Sequence, residues 1–208
     1  MVPNQKTIKF VLKPLLFIAC LIPFALLALK AFGVAGAGFG PNPVEEVLHE
    51  LGLWGLRFLL ITLLITPLKD ILHKPWPIAL RRMLGLFAFF YVTMHFVTWL
   101  WLDRELYWPG ILEDIGKRPF ITLGFAAFVL LIPMAMTSTN GWIRRMGAQR
   151  WRALHKSIYV IVLLGVWHFY WLVKSDVREP LVYLGIALVL LGWRVWKALQ
   201  KRRATKSA

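Results

Sequence analysis

A bundle of six membrane-crossing helices is the fold this sequence predicts: all-α, integral to a membrane, a single domain over residues 1–208 with both termini cytoplasmic. Three observations predict it. Hydrophobic residues make up 59% of the 208 and aromatic residues 14%, against 17% charged, and the mean hydropathy is +0.63, which is well outside the balance of a soluble domain. Six stretches stay apolar for the roughly 20 residues that a helix needs to cross hydrocarbon. Basic and acidic residues separate into alternate connections, as topology in a bilayer demands.

The first stretch, about Phe10–Ala31, follows Lys6, Lys9 and Lys13 and precedes Ala35-Gly36-Ala37. That surrounding is also the pattern of a secretory signal, but the apolar core exceeds the roughly 7–15 residues of a signal's hydrophobic region and reads as a span. The others are Val47–Pro67, Leu80–Leu102, Pro119–Thr137, Ala153–Val173 and Pro180–Trp196. Residues 33–41, rich in glycine, predict a flexible outer loop, and Pro109-Gly110 predicts a turn in the second outer loop. No internal repeat is visible, and the glycines follow no strand, so a phosphate-binding loop is not indicated.

Lys69, Lys74, Arg81, Arg82, Arg144, Arg145, Arg150, Arg152 and the tail through Lys201, Arg202, Arg203 and Lys206 fall on the side of the N-terminal lysines. That side is predicted to be cytoplasmic, with Asp70 as its only acid. Glu45, Glu46, Glu50, Asp103, Glu105, Glu113, Asp114, Asp176 and Glu179 gather on the other side. The net charge of +15 is accounted for by this topology together with anionic membrane lipid, and no nucleic-acid-binding module is present. Cys20 is the only cysteine, which rules out an intrachain disulfide, a cysteine-held cluster or a cysteine zinc site.

His95, His155 and His168 lie inside apolar stretches, where an imidazole is costly unless it holds something or faces a polar cavity. Spans three and five run in the same direction. His95 is 14 positions beyond Arg81 and His168 is 16 beyond Arg152, about 21 and 24 Å into their helices at the usual rise. At matching depth on neighbouring helices, two imidazoles can take one haem iron from both faces, leaving no open position for a substrate, which suits electron transfer. His95 and His168 are therefore the expected ligands of an outer haem.

His155 precedes His168 by 13 positions, about 20 Å nearer the cytoplasm and roughly 140° out of phase on a straight helix. Aiming both inward needs a bend or a π-bulge. Span three has Arg81, Arg82 and Met83 at that depth instead of a histidine. Met83 or a polar neighbour could complete a second iron, or that iron is five-coordinate or absent; a hydrogen bond to a neighbouring helix and a proton path are the other readings of His155. His49 and His73 fall at the surfaces and need no ligand. Arg57, near the middle of span two, requires a counter-charge: a haem propionate, Glu46, Glu50, a carbonyl, or escape to the surface. Trp99, Trp101, Tyr107, Trp108, Trp142, Trp151, Trp171 and Trp196 read as interfacial belts. Thr137, Ser138 and Thr139, at an inner helix end, could meet a phosphate but more commonly bond backbone.

A set of short motifs carries a resemblance. Gly40-Pro41-Asn42-Pro43 with Val47-Leu48-His49, Leu56-Arg57-Phe58-Leu59-Leu60 with Thr66-Pro67-Leu68, Arg81-Arg82-Met83-Leu84-Gly85, His95, Thr137-Ser138-Thr139, and Trp151-Arg152-Ala153-Leu154-His155 with Tyr159 together resemble the MsrQ (YedZ) family, haem-binding membrane subunits of the bacterial MsrPQ methionine-sulfoxide reductase system. The resemblance runs from about Gly40 to His168. It implies a ferric-reductase-like transmembrane domain in the bacterial inner membrane, carrying haem b and associated with FMN. It implies electrons passing from quinol or a cytosolic flavin reductase to MsrP, a periplasmic molybdopterin reductase of oxidised methionine. It also implies that the family's haem histidines fall on His95, His155 and His168, with the reductant supplied by a separate protein. The paired histidines of larger ferric reductases commonly stand 14 apart, so the 13 here departs from a simple two-haem stack.

The expected cofactor-binding residues are then His95, His168, His155, Arg57, Arg81 and Met83, the metal ligands being the three histidines. Arg81, Arg82, Arg144, Arg145 and Arg150 offer a basic inner face for a phosphate, and the acidic segments 41–50 and 103–114 offer docking for a periplasmic partner. The chain is expected to be an electron-transfer subunit of an oxidoreductase system. A transporter or proton channel using the intramembrane histidines, and a non-catalytic scaffold, are the competing classes.

Overall fold

The computed structural model describes residues 3–34, 38–173 and 175–206. Ala35-Gly36-Ala37 of the predicted outer loop lie outside the described residues, as do Lys174 and the last two positions. The described chain is helical, without strands. The helices are α1 (Gln5–Ala31), α2 (Pro43–Leu72), α3 (Trp76–Asp103), α4 (Trp108–Lys117), α5 (Pro119–Met136), α6 (Asn140–Met146), α7 (Ala148–His155), α8 (Ile158–Leu172) and α9 (Arg178–Lys206). Six spans are long and apolar enough to cross a membrane, with α7 and α8 jointly forming the fifth, Ala148–Leu172.

Several helices outrun the apolar windows because their ends are stabilised by polar chemistry that hydropathy ignores. At the start of α2 the Asn42 side chain accepts from the Glu45 N–H, Pro43 occupies the first turn, and Glu45 and Glu46 face the helix dipole. At the other extreme α9 continues through Ala, Leu, Gln, Lys and Arg to Lys206, all good helix formers that need no bilayer.

α2 is the central helix. Leu51, Leu53, Leu56, Phe58, Leu59, Leu60, Leu63 and Ile65 are all buried, and α3, α8 and α9 pack around it. The backbones of α2 and α3 come close at Gly55, where a Cβ would stand 2.7 Å from Val92 Cγ2. α5 packs along α8 in the same antiparallel manner. The two hairpins meet along an aromatic seam in which Phe96 stacks on Phe128 at 4.7 Å and Phe89 on Phe128 at 6.2 Å. The peripheral α1 exposes Phe10, Leu15, Ile18, Ile22 and Leu26, the surface expected of a lipid-facing helix.

Two of the spans with an internal proline take a side chain from a neighbouring helix into their backbone hydrogen bonding. Pro67 has no N–H, so the Leu63 carbonyl four residues earlier loses its helical donor. Arg194 of α9 donates to that carbonyl and to Leu190 O (2.9 Å), its guanidinium lying 5.7 Å from the Tyr159 ring. In α1, beside Pro23, the buried Tyr91 hydroxyl donates to Cys20 O (2.8 Å) and accepts from Phe24 N–H (3.0 Å). It stands inside the helical ladder between a carbonyl and the amide four residues on.

Three elements differ from expectation. Trp108-Pro109-Gly110 begins the helix α4, with Pro109 in its first turn, where a missing N–H costs nothing; the predicted turn is therefore a helix start. α6 is capped by Thr139, whose hydroxyl accepts from Trp142 N–H (3.3 Å). The fifth span breaks at Lys156 and Ser157: Ser157 N–H bonds Leu154 O (3.0 Å) and Tyr159 N–H bonds Lys156 O (3.1 Å), while the Ser157 hydroxyl adds a bond to Leu154 O (2.6 Å). These i to i+3 bonds wind the chain more tightly than an α-helix, so α7 and α8 are not one straight helix.

Candidate haem site at the far end of the bundle

The structure brings His95 and His168 together. Their rings lie 6.1 Å apart, centroid to centroid, at an interplanar angle of 81°, at the end of the bundle away from the basic loops. Each ring is fixed from behind by the other helix of its own hairpin. His95 Nδ1–H of α3 donates to the Leu48 carbonyl of α2 (2.9 Å), and His168 Nδ1–H of α8 donates to the Phe120 carbonyl of α5 (2.7 Å). A carbonyl oxygen only accepts, so each Nδ1 carries the proton and each Nε2 keeps its lone pair, the tautomer a metal requires. Among the described residues neither Nε2 has a protein hydrogen-bond partner.

A glycine completes each anchor. Gly52, one helical turn beyond Leu48, leaves room for the His95 ring: a Cβ there would stand 3.1 Å from Nδ1 and 3.2 Å from Cε1. Gly124, one turn beyond Phe120, does the same for His168, with a Cβ at 2.8 Å from Nδ1 and 3.0 Å from Cε1. Carbonyl, glycine and histidine recur with nearly the same spacing, 47 and 48 residues from carbonyl to histidine. The two hairpins thus use one device at matching spacing. The glycine contacts were not foreseen; the signal available was the 72-residue offset that relates both Leu48 to Phe120 and Gly52 to Gly124.

The geometry suits one metal centre between the rings. Two imidazoles bound through Nε2 at about 2 Å on opposite sides of one ion put their centroids roughly 6 Å apart, close to the observed separation. His49, exposed on α2, lies beside this region with its ring 5.8 Å from that of Phe169.

His155 lies elsewhere. Its ring stacks on Trp151 (3.9 Å, 26°) and its Nε2 meets the Thr137 hydroxyl at 3.1 Å. Among the described residues no second imidazole faces it. Arg81 is within electrostatic reach of both His155 and Arg194, Arg82 donates to the Asn140 side chain (2.7 Å), and the half-buried Met83 packs against the core. The basic end thus presents histidine, arginine, tryptophan and hydroxyls rather than a ligand pair. Thr137 and Ser138 bond backbone, to Pro133 O (2.6 Å) and Met134 O (2.7 Å).

Arg57 finds its counter-charge on the last span, not at Glu46 or Glu50. Its Nε donates to the Tyr183 hydroxyl (2.8 Å), its guanidinium lies 3.9 Å from Glu179, and the Trp54 ring lies 4.9 Å away. Helices that hydropathy treats independently are here joined by one pair, invisible until α9 is placed beside α2. The acidic segments are also partly engaged. Glu46 pairs with Lys30, Glu113 with Lys117 (2.8 Å), and the buried Asp114 lies between Arg104 (2.7 Å) and Arg118 (2.9 Å).

Residues 51–166 match the family described as the ferric reductase like transmembrane component. A Xanthomonas euvesicatoria protein-methionine-sulfoxide reductase heme-binding subunit MsrQ is 54% identical over 93% of this chain and 89% of its own. Proteins of the same description from Xanthomonas oryzae and Herminiimonas arsenicoxydans are 52% and 49% identical, covering 96% of this chain and 93% and 90% of theirs. With more than half the chain inside the first match and nearly all of it inside the others, this six-span protein belongs to the ferric reductase-like transmembrane family and, within it, to the MsrQ subunits.

Proposed function

We propose that this chain is a b-type cytochrome subunit that moves electrons across the bacterial inner membrane, with both termini cytoplasmic. Its electrons come from quinol or a cytosolic flavin reductase and go to MsrP, a periplasmic molybdopterin enzyme that restores oxidised methionine in proteins. The observation that carries the reading is the His95–His168 pair, each ring braced by a carbonyl and a glycine, each Nε2 free. Haem b bound there supplies one-electron iron chemistry. The residues do the rest: His95 and His168 would hold the iron, the Leu48 and Phe120 carbonyls fix the tautomer and would strengthen each imidazole as a donor, and the surrounding aromatic residues exclude water.

At the basic end, His155, Trp151, Thr137, Arg81 and Arg82 form the electron-donor side, where an aromatic face and cations suit a quinol or the ring and phosphate of FMN. His155 serves that side and Met83 the packing beneath it; the lack of a facing imidazole favours one haem over two. Arg57, already paired, acts by holding α9 to α2.

The test is haem stoichiometry and spectra on purified protein. His95→Ala and His168→Ala should each abolish the split absorption bands of doubly ligated haem, while His155→Ala should keep them and slow reduction by a quinol analogue. Colourless wild-type protein, or intact bands in both of the first two variants, would overturn the assignment and leave the transporter reading, with histidine-dependent proton flux as its signature.

A further inference from the structure

The amphipathic helix α4, between the third and fourth spans, has three distinct faces. At 100° per residue, Trp108, Leu112 and Ile115 share one stripe; Ile111 and Asp114 share a second; Pro109, Glu113, Gly116 and Lys117 share the third. Trp108 is 60% and Leu112 68% exposed, whereas Ile111 is 3% and Asp114 7% exposed. A soluble surface helix needs two faces, one inward and one outward. A helix with a protein face, an apolar face and a polar face sits where protein, lipid and water meet.

The apolar stripe is also continuous with its surroundings. Trp101 and Leu102 at the end of α3, and Leu106 and Tyr107 just before α4, are all exposed, giving a band of apolar and amphipathic side chains at the level where a span leaves hydrocarbon. Ten residues are too few to cross a bilayer but enough to lie on one. The orientation is imposed from the protein side: Asp114 is held by Arg104 from the end of α3 and by Arg118 from the start of α5, which sets the rotation of α4 about its axis. On the polar stripe Glu113 pairs with Lys117, leaving no net charge for an ionic partner.

We infer that α4 is an interfacial helix, lying flat in the headgroup region of the leaflet at the far end of the bundle, with Trp108 and Leu112 in lipid, the half-buried Ile115 at the edge of that stripe, and Glu113 and Lys117 in water. The occupant of the apolar stripe is therefore a phospholipid surface rather than a protein. This holds whatever the two histidines bind.

Single nitroxide labels at Leu112→Cys and Glu113→Cys, in the full chain with Cys20→Ala, reconstituted in phosphatidylcholine–phosphatidylglycerol nanodiscs, test it by spin-label power saturation. The label at 112 should be several-fold more accessible to oxygen than to a water-soluble nickel chelate, and the adjacent label at 113 should show the reverse. Labels at Trp108→Cys and Lys117→Cys, one on each stripe, repeat the comparison if the first pair disturbs folding. Equal nickel access at 112 and 113 would place the stripe in water, open to a protein partner. An immobile label at 112 reached by neither reagent would place it against protein. Either result overturns the proposal.

Discussion

Adding one methyl group at Gly124 probes how tightly the His168 ring is positioned. The Cβ of Gly124→Ala would stand 2.8 Å from His168 Nδ1, 3.0 Å from Cε1 and 3.3 Å from Cγ. Ordinary carbon–carbon and carbon–nitrogen contacts lie near 3.5 Å, so the ring must retreat by about 0.7 Å or tilt, breaking the 2.7 Å bond to the Phe120 carbonyl. At Gly52 the nearest distance is 3.1 Å, and the same contact length asks for only about 0.4 Å. Overpacking of this kind costs about 1–3 kcal/mol, and the lost hydrogen bond about 1 kcal/mol more. Against this, alanine in place of a mid-helix glycine gains about 1 kcal/mol. The fold should therefore tolerate both variants, with little change in thermal midpoint for Gly52→Ala and a modest fall for Gly124→Ala. Haem occupancy should drop and the midpoint potential should shift, more at Gly124 than at Gly52. Haem-to-protein ratio, absorbance of the reduced form and redox titration read the site, while intrinsic fluorescence on heating reads the fold. Wild-type haem content, spectrum and potential in Gly124→Ala, or a larger effect at Gly52, would refute the view that these glycines exist to seat the rings.

Other variants test the supports of the bundle. Arg194→Leu orphans the Leu63 carbonyl and should destabilise by about 1–3 kcal/mol; adding Pro67→Ala restores a backbone donor and should recover a good part of that in thermal unfolding, whereas independent, additive effects would disprove the proline-rescue role. Asp114→Asn loses two ion pairs at a buried carboxylate and should cost about 2 kcal/mol, seen as faster amide exchange over residues 104–118; unchanged protection there would show that the clasp on α4 is dispensable.

The spans were legible because hydropathy over 20 residues is a local property, and Pro119–Met136 lies within one residue of its expected bounds. The meeting of His95 and His168 was legible too, since helical rise converts sequence distance into depth and both helices run the same way. The parts that escaped depend on which surfaces face each other. Gly52 and Gly124 matter only because a ring from another helix fills the space a side chain would take. Arg57 found Glu179 and Tyr183, 122 and 126 positions away, beyond anything a periodicity can relate. α4 was hidden for a different reason: three stripes in ten residues dilute the two-sided pattern that marks a surface helix, and Pro-Gly usually signals a turn.

Because His95 and His168 are each braced within their own hairpin, whatever the two rings grip acts as a bolt between those hairpins. Occupancy then stabilises the seam in proportion to the logarithm of ligand concentration over its dissociation constant. Starved of that occupant, the seam where Phe89 and Phe96 meet Phe125 and Phe128 is left to ring packing, and the two helical pairs stay joined by that seam and by the packing of α8 and α9 on α2.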